Sequence, residues 1–396
     1  MQRLLYSILV ALALASPLAA QLDIGRVEVT ADNRTIPVRV SGTTQELNSL
    51  ALQAFGSHGR YHVNPPSSFI YDIRFSPEGA SQVRVDISRG YGGDAVASES
   101  ASGSTLREAL LSAADIAVAK TNGLGLRGYF SSRLAFIGER TGHTEIYTSD
   151  LFFGDVRQIT HDHAIAMTPR WSPDGEKLIY TSFFRSGFPD IFQIDLGGYQ
   201  RTTFVSFKGT NSGARYSPDG RQVAMVLSGE GEPEIYVSNA EGRGVSRRTH
   251  SDTTKASPCW SPDGSRIIFA MQPGPQLYVM SSSGGTPRRV TFDSSRYCAE
   301  PDWNRADPDK VAYTMRVGDN YQIGVLELSK EHGEQVSHAP FDGIEPSWLP
   351  DGRHLVYTAR TGSTSRVCIL DTETGKSFPV SPSSFGPAQQ ASVWSR

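Results

Sequence analysis

The stretch Pro169-Arg170-Trp171-Ser172-Pro173-Asp174-Gly175 decides the fold, because the chain repeats it. Further copies surround one aromatic residue each, the third degenerate and the last truncated: Tyr216, Trp260, Trp303, Trp348 and Trp394. From one aromatic residue to the next, the chain advances 45, 44, 43, 45 and 46 residues. This period is typical of a four-stranded propeller blade, so the sequence predicts a β-propeller.

Each part of the motif has a physical role. The aromatic residue is a large apolar anchor that must be buried against neighbouring strands. In the turn, Pro173 presets φ, Asp174 can bond its own backbone, and Gly175 accepts a positive φ. An apolar, β-branched run follows each turn, which is typical of a strand. The motif therefore predicts a hairpin between the first and second strands of each blade.

The two ends of the repeat region complement each other. Residues 133–137, 144–148 and 156–160 have the pattern of strands two to four of a blade, with no first strand before them. Residues 392–394 have the pattern of a first strand with no blade after it. Pairing the two ends would close the ring and hide exposed sheet edges. With five complete blades, this predicts an all-β six-bladed β-propeller over residues 129–396, closed by the C-terminal strand.

The beginning of the chain has the pattern of an export signal. Residues 1–20 combine a basic start at Arg3, an apolar stretch and a small-residue cleavage site, which predicts a signal peptide. A membrane anchor is the alternative, but the apolar stretch is shorter than the roughly 20 residues that a spanning helix needs. Residues 21–34 are polar and unpatterned and predict a flexible tail. We therefore expect an exported protein with no direct membrane insertion.

Residues 35–128 have a mixed pattern that predicts a small α/β domain. The run rich in Gly and Ser before Ser104 indicates an irregular break, after which Ser104 or Thr105 would cap a helix. The predicted helices are 45–55 and 105–120, and the predicted strands are 36–40, 61–63, 69–75 and 82–87, the last two forming a hairpin.

Composition narrows the class of partner. The net charge is −3 and no basic run stands out, so we expect no nucleic acid partner. The three cysteines are Cys259, Cys298 and Cys368. A bridge between Cys259 and Cys298 and buried free thiols are the two alternatives, and the spacing does not indicate a metal site.

The order of parts resembles the TolB family, the periplasmic propeller proteins of the Tol-Pal system of Gram-negative bacteria. The resemblance depends on the signal peptide, the small α/β domain, the six blades and the final Ala391-Ser392-Val393-Trp394-Ser395 strand. Residues 33–40, 55–61 and 123–137 are similar to the family's tail-to-strand passage, its segment after the first helix, and its junction into the first blade. The likeness covers nearly the whole mature chain.

The resemblance implies a non-enzymatic periplasmic adaptor without a cofactor. Its propeller would bind the peptidoglycan-associated lipoprotein Pal, and its N-terminal region would bind TolA from the inner membrane. The pair of contacts would support outer-membrane integrity and invagination during cell division. Within the tail, the residues expected to contact TolA are Asp23, Ile24, Arg26, Val27 and Glu28.

Propeller geometry predicts which side carries the partner site. The Ser-Pro-Asp-Gly turns repeat and indicate structure, whereas the loops from strand four to the next strand one vary, as binding loops do. Tyr297 and Phe341 are expected to be exposed aromatic anchors, with Lys255 and Arg296 as charged ones. Solvation of the loops is the alternative role for any one of these side chains. The predicted site comprises His161, His163, Lys208, Thr210, Asn211, Thr254, Lys255, Arg296, Tyr297, Glu300, Phe341 and Glu345.

Catalytic motifs are missing from the sequence, which has neither a Gly-x-Ser-x-Gly elbow nor a glycine-rich phosphate loop after a strand. Glu300 and Glu345 hold equivalent positions on consecutive blades, so a bound cation and solvated channel acids are both open. His161 and His163 lack a nearby third ligand, and we predict no metal site there. The alternatives to an adaptor are a secreted polysaccharide lyase or hydrolase, and a propeller that binds a peptide or cell-wall ligand.

Overall fold

The computed structural model describes residues 35–292, 295–362 and 364–396. The predicted signal peptide and the predicted tail, with its five candidate contact residues, lie outside the described residues. Neither α-helix of the described part combines the length and the hydrophobicity that a membrane crossing requires.

The N-terminal domain is a five-stranded sheet against which two helices pack. The strand order is β2-β1-β3-β4-β5, with β1 parallel to both its neighbours and the remaining pairs antiparallel. Thr44 and Thr105 cap the helices by accepting the backbone N–H groups of Leu47 and Glu108. The elements are β1 (Ile36–Gly42), α1 (Gln45–Ser57), β2 (Tyr61–Val63), β3 (Tyr71–Pro77), β4 (Gln82–Arg89), β5 (Ala95–Ser102) and α2 (Leu106–Thr121).

Strand β5 corrects the sequence analysis, which predicted an irregular break there. The strand pairs antiparallel with β4 from Gln82↔Ser102 to Ser88↔Ala95. It lies at the sheet edge, and its Ala97 and Ala101 pack against the core while Ser98 and Ser100 face solvent. Because an antiparallel edge strand needs to bury one face only, small residues in alternation are sufficient, and the pattern lacks the usual large apolar residues.

Six four-stranded sheets follow, which confirms the predicted propeller. The blades are numbered from the composite blade, and the strands of each are given from the innermost, strand 1, to the outermost, strand 4. Blade 1 contains Ala388–Trp394, Arg133–Gly138, Glu145–Asp150 and Arg157–Gln158; blade 2 contains Ala166–Trp171, Lys177–Ser182, Asp190–Asp195 and Arg201–Val205; and blade 3 contains Asn211–Tyr216, Gln222–Leu227, Glu234–Asn239 and Ser246–Arg247. Blade 4 contains Lys255–Trp260, Arg266–Met271, Gln276–Ser281 and Arg288–Arg289; blade 5 contains Cys298–Trp303, Lys310–Val317, Asn320–Glu327 and His332–Gln335; and blade 6 contains Asp342–Trp348, His354–Thr361, Thr364–Asp371 and Ser377–Pro379. A single 3₁₀ turn, Ser383–Phe385, precedes the last strand.

The ring closes as predicted, because Ala388–Trp394 pairs with Arg133–Gly138. Tryptophans fix this junction to the next blade. The Trp171 indole N–H donates to the Ser392 carbonyl at 3.2 Å. The Trp394 indole N–H donates to the Pro173 carbonyl at 3.0 Å. On its other side, the Val393 N–H donates to Ser347 Oγ of blade 6 at 3.4 Å, so the C-terminal strand contacts both neighbouring blades.

The repeated turn has the chemistry that its sequence predicted. In blade 2, Ser172 Oγ accepts the Lys177 N–H at 2.9 Å, and Asp174 Oδ1 accepts the Glu176 N–H at 3.0 Å. Gly175 has φ 75°, a left-handed conformation that glycine adopts without strain. These bonds satisfy the turn within its own blade.

The N-terminal domain packs on the side of the propeller that carries these turns, which we call the turn face. The chain enters blade 1 at Arg133, whose strand begins on that side. A hydrophobic cluster runs without interruption from the helices into blades 1 and 6 and includes Phe55, Phe130 and Leu349. Arg107 of α2 also pairs with Asp150 of blade 1. The opposite side, formed by the loops from strand 4 to the next strand 1 and from strand 2 to strand 3, is the loop face.

Candidate functional site

A ring of β-bulges surrounds the central channel. The innermost strand of every blade shifts register at the same place, and the first residue of each bulge has a φ between 51° and 63°. Such left-handed angles are uncommon outside glycine. The six bulge residues line one cavity of about 210 Å³ and are Thr168, Gly213, Ser257, Glu300, Glu345 and Gln390.

Hydrogen bonds connect neighbouring bulge residues around part of this ring. The backbone N–H of Glu345 donates to Glu300 Oε2 at 3.2 Å. Gln390 Nε2 donates to Glu345 Oε1 at 2.9 Å, and the Thr168 N–H donates to Gln390 Oε1 at 2.7 Å. Thr358 donates to Glu345 Oε2 at 3.0 Å and accepts the Gln390 N–H at 2.9 Å. Four blades are thereby linked through side chains that point into the channel.

The two predicted channel carboxylates do lie together, and their proximity changes their chemistry. Burial, and next the negative charge of Glu300, raise the pKa of Glu345 to about 7. Glu345 is therefore a group that exchanges a proton near neutral pH. Of the two alternatives left open by the sequence, simple solvation does not describe Glu345, because Thr358 and Gln390 donate to its two oxygens.

Arginines lie deeper in the same channel. Arg215 pairs with Asp302 and also donates to the Pro301 carbonyl at 3.4 Å. Arg170 donates to the Pro169 carbonyl at 3.3 Å, and burial, followed by the charge of Arg215, lowers its pKa to about 10. Arg215 borders both the cavity inside the bulge ring and a second cavity of about 680 Å³ that opens on the turn face. The channel is thus acidic towards the loop face and basic in its middle.

The structure places several predicted residues on the surface of the loop face. Tyr297 is half-buried, with its ring edge-on to that of Tyr321 at 5.0 Å, and burial, followed by Glu300, raises its pKa to about 12. Thr210 and Thr254 are also half-buried. The side chains that are exposed are His161, His163, Lys208 and Arg296.

Lys255 is not the exposed charged anchor that the sequence analysis expected. Its side chain is 1% exposed and forms an ion pair with Glu234 at 2.8 Å. It also donates to the carbonyl oxygens of Ser251 and Thr253. Lys255 begins strand 1 of blade 4, and its side chain connects the preceding loop, at Ser251 and Thr253, to Glu234 of blade 3.

Phe341 and Asn211 are likewise structural. Phe341 is 5% exposed and packs in the core of blade 6, so the expectation of an exposed aromatic anchor is wrong. Asn211 is fully buried, where its Nδ2 donates to the Phe207 carbonyl at 2.8 Å and its Oδ1 accepts the Phe207 N–H at 2.9 Å. Both residues shape loops whose other members reach solvent.

A group of exposed aromatic residues lies on the loop face and was not among the predicted site residues. Phe184 and Phe188 lie in the loop from strand 2 to strand 3 of blade 2, and Phe207 lies in the loop that follows the same blade. The Arg201 guanidinium lies 4.1 Å from the centroid of the Phe184 ring. Three phenylalanines between residues 183 and 188 were the available signal, but they lie outside the strand 4 to strand 1 loops in which a site was predicted, whereas Phe207 lies in such a loop beside the predicted Lys208.

The cysteines are free and buried, which confirms the free-thiol alternative. Cys259 Sγ accepts the Trp303 N–H at 3.3 Å, so it acts within the packing of blades 4 and 5. Burial raises the pKa of the Cys298 thiol to about 11 and that of Cys368 to about 12. None of the three is poised as a nucleophile.

Together these features define a class: a two-domain propeller protein with a closed six-bladed ring, an accessory α/β domain on one face and varied loops on the other. A family profile described as the TolB beta propeller domain matches residues 123–396. The chain therefore belongs to the TolB family.

Relatives and solved structures agree with this assignment. A TolB homolog of Chlorobium luteolum is 31% identical over 166 residues, which are 41% of this chain and 37% of that protein. The Tol-Pal system protein TolB of Desulfosudis oleivorans is 38% identical over 127 residues, 32% of this chain and 28% of that protein. The matched stretches thus span well under half the length of these relatives. TolB from Acinetobacter baumannii has the same fold, with a TM-score of 0.78 at 22% identity over 93% of this chain and 99% of that one.

Proposed function

We propose that this protein is a non-enzymatic periplasmic adaptor of the Tol-Pal system. The propeller, residues 129–396, would bind a Pal-like outer-membrane lipoprotein, and the N-terminal region would bind a TolA-like inner-membrane protein. The adaptor would support outer-membrane integrity and invagination during division. Membership of the TolB family supports the system, and the surface of the propeller supports the face.

The observation that carries the proposal is the contrast between the two sides of the channel. The turn face is covered at blades 1 and 6 by the protein's own α/β domain, whereas the loop face presents exposed Lys208, Arg296, Phe188 and Phe207 around the acidic channel. Aromatic and arginine side chains are the residues that dominate protein–protein binding energy. A folded partner domain is therefore expected to bind on the loop face.

Binding of the purified periplasmic domain of the cognate Pal-like lipoprotein tests this face. We expect the Lys208→Ala/Arg296→Ala variant to bind at least tenfold more weakly, by calorimetry. The matched control is Arg221→Ala/Arg305→Ala, which removes the same charge from exposed positions on the turn face. Equal weakening by the control would refute the face, and no binding by the unaltered protein would refute the partner.

The tail is proposed to provide the second contact through Asp23, Ile24, Arg26, Val27 and Glu28. Deleting residues 21–31 should abolish binding to the periplasmic domain of the cognate TolA-like protein and leave binding to the Pal-like domain intact. A deletion that leaves TolA binding unchanged would assign that contact to another surface.

A further inference from the structure

Two histidines meet where the N-terminal domain contacts the propeller. His58 follows α1, and His354 begins strand 2 of blade 6. Their ring centroids are 4.4 Å apart, and both side chains are fully buried. His354 Nδ1 lies 2.6 Å from Asp351 Oδ2. One donor atom from each of His58, Asp351 and His354 lies within 4.8 Å of the other two.

The histidines have unused polar atoms. Within the described residues, neither His58 Nε2 nor His354 Nε2 has a hydrogen-bond partner, although both atoms are buried. A buried polar atom without a partner typically costs about 1–3 kcal/mol. His58 Nε2 is thus a buried nitrogen available to a ligand, whereas His354 Nε2 lies 3.8 Å from Asp371 Oδ2.

The charge of the cluster favours a cation. Asp371 is already neutralised by Arg353, which donates to both its oxygens at 2.9 and 2.7 Å. Asp351 has only the imidazole of His354 as its ion-pair partner in the described part of the chain. Asp351 and Asp371 thus bring two buried carboxylates to a cluster in which Arg353 is the neighbouring cation, and a metal ion would balance the second negative charge.

We propose that His58, Asp351 and His354 bind a zinc ion that joins the N-terminal domain to the propeller. Two imidazoles and one carboxylate are a donor set that zinc accepts, with water in the fourth position. The ion would replace the proton between His354 Nδ1 and Asp351 Oδ2, and His58 Nε2 would be the third ligand. His354 Nε2–H would then face Asp371 Oδ2, 3.8 Å away, as metal-bound histidines commonly face an outer carboxylate.

Zinc binding requires the three ligand atoms, which lie within 4.8 Å of one another, to rearrange. Zinc bonds of about 2.0–2.1 Å place ligand atoms roughly 3.3 Å apart in a tetrahedron. His354 Nδ1 and Asp351 Oδ2 must separate slightly, and His58 must move inward. His58 follows the end of a helix, and the rings of Tyr61 and Tyr129, 5.0 and 5.2 Å from its own, must adjust with it. Binding through Nε2 shifts the ring proton to Nδ1 and loses the 3.3 Å contact with the Arg60 N–H.

Metal content and cobalt spectroscopy of the full chain test the site. After removal of metals with a chelator and dialysis against zinc, we expect one zinc per chain by mass spectrometry. Cobalt substituted for zinc should give the intense visible absorption of a tetrahedral site. His58→Gln should lower zinc affinity at least tenfold and abolish that absorption. The control His161→Gln/His163→Gln removes an exposed pair and should change neither.

Two results would overturn the proposal: an unaltered protein that retains no stoichiometric metal, or metal that is lost in the control but kept in His58→Gln. Because His354 is fully buried, His354→Gln could fail to fold, so His58→Gln and the cobalt spectrum decide. The site is independent of Pal or TolA binding, and neither result depends on the adaptor role.

Discussion

The turn face and the loop face of the propeller are built from the same repeat, but they differ in which groups remain available to a partner. On the turn face, Ser172, Ser217 and Ser261 satisfy their turns internally, so these turns offer little to a partner. The N-terminal domain docks where the repeat changes: blade 6 has Leu349 in place of the serine, and Leu349 is buried in the shared hydrophobic cluster. On the loop face, the loops of the six blades differ in sequence.

In this propeller the N-terminal domain docks at a turn that departs from the repeat. In blade 6, Asp351 Oδ1 accepts the backbone N–H groups of Arg353 and His354, at 3.1 and 3.0 Å, and replaces the missing serine. The turn therefore survives while its surface becomes apolar.

Deleting residues 388–396 should have the largest effect, because it removes strand 1 of blade 1 and opens the ring that supports both the turn face and the loop face. We expect loss of cooperative unfolding, since the deletion costs a large part of a typical stability of roughly 5–15 kcal/mol. Urea unfolding followed by near-ultraviolet circular dichroism measures it. The control lacks only residues 395–396, which lie beyond the strand. An unaltered unfolding curve for the longer deletion would contradict ring closure.

Gly59→Ala should disrupt the contact between the N-terminal domain and blade 6 on the turn face and leave the loop face unchanged. A Cβ at Gly59 would lie 1.8 Å from Asp371 Oδ2, within the buried pair that Asp371 forms with Arg353. We expect a loss of about 3 kcal/mol in the free energy of unfolding, from overpacking next to a buried ion pair. The control Gly56→Ala has open space and lies within a helix, so it should be neutral or slightly stabilising. Equal stability of the two variants would refute the close approach.

Glu345→Gln tests whether the channel carboxylate makes stability depend on pH. The folded pKa of about 7 lies above the usual 4.5, so the folded state binds the proton more tightly. The contribution of Glu345 to stability is therefore full below pH 4.5 and falls as the pH rises towards 7, by on the order of 2 kcal/mol. Urea unfolding from pH 4.5 to 7.5 should show this decline in the unaltered protein and a flatter profile in Glu345→Gln. Parallel profiles would mean that Glu345 does not titrate in this range.

Lys208→Ala should have the smallest effect on stability, because its side chain is exposed on the loop face. We expect a change within about 0.5 kcal/mol. The matched Lys255→Ala should cost about 2 kcal/mol, since it removes one of the two ion-pair partners of the buried Glu234, which keeps only Arg247. Thermal and urea unfolding of the two variants compare the residues directly. Similar losses would mean that burial does not separate their roles.

The fold was largely predictable from sequence, since turn residues and period are local signals. Trp394 alone, as an orphan motif residue, predicted how the ring closes. Burial inside loops was not predictable: Lys255 and Phe341 have the residue types of surface anchors, and only the packing of neighbouring blades encloses them. The contact between His58 and His354 joins distant parts of the chain and leaves no periodic signal.

The ring of bulges has a consequence for how this channel can evolve. Five of the six blades contribute one side chain whose direction is set by the bulge, and blade 3 contributes Gly213. The present lining combines Glu300 and Glu345 with neutral Thr168, Ser257 and Gln390. A single codon change at any of these positions alters the electrostatic potential of the channel by a whole charge. Related proteins can therefore diverge in what their channels attract while their propellers remain superimposable.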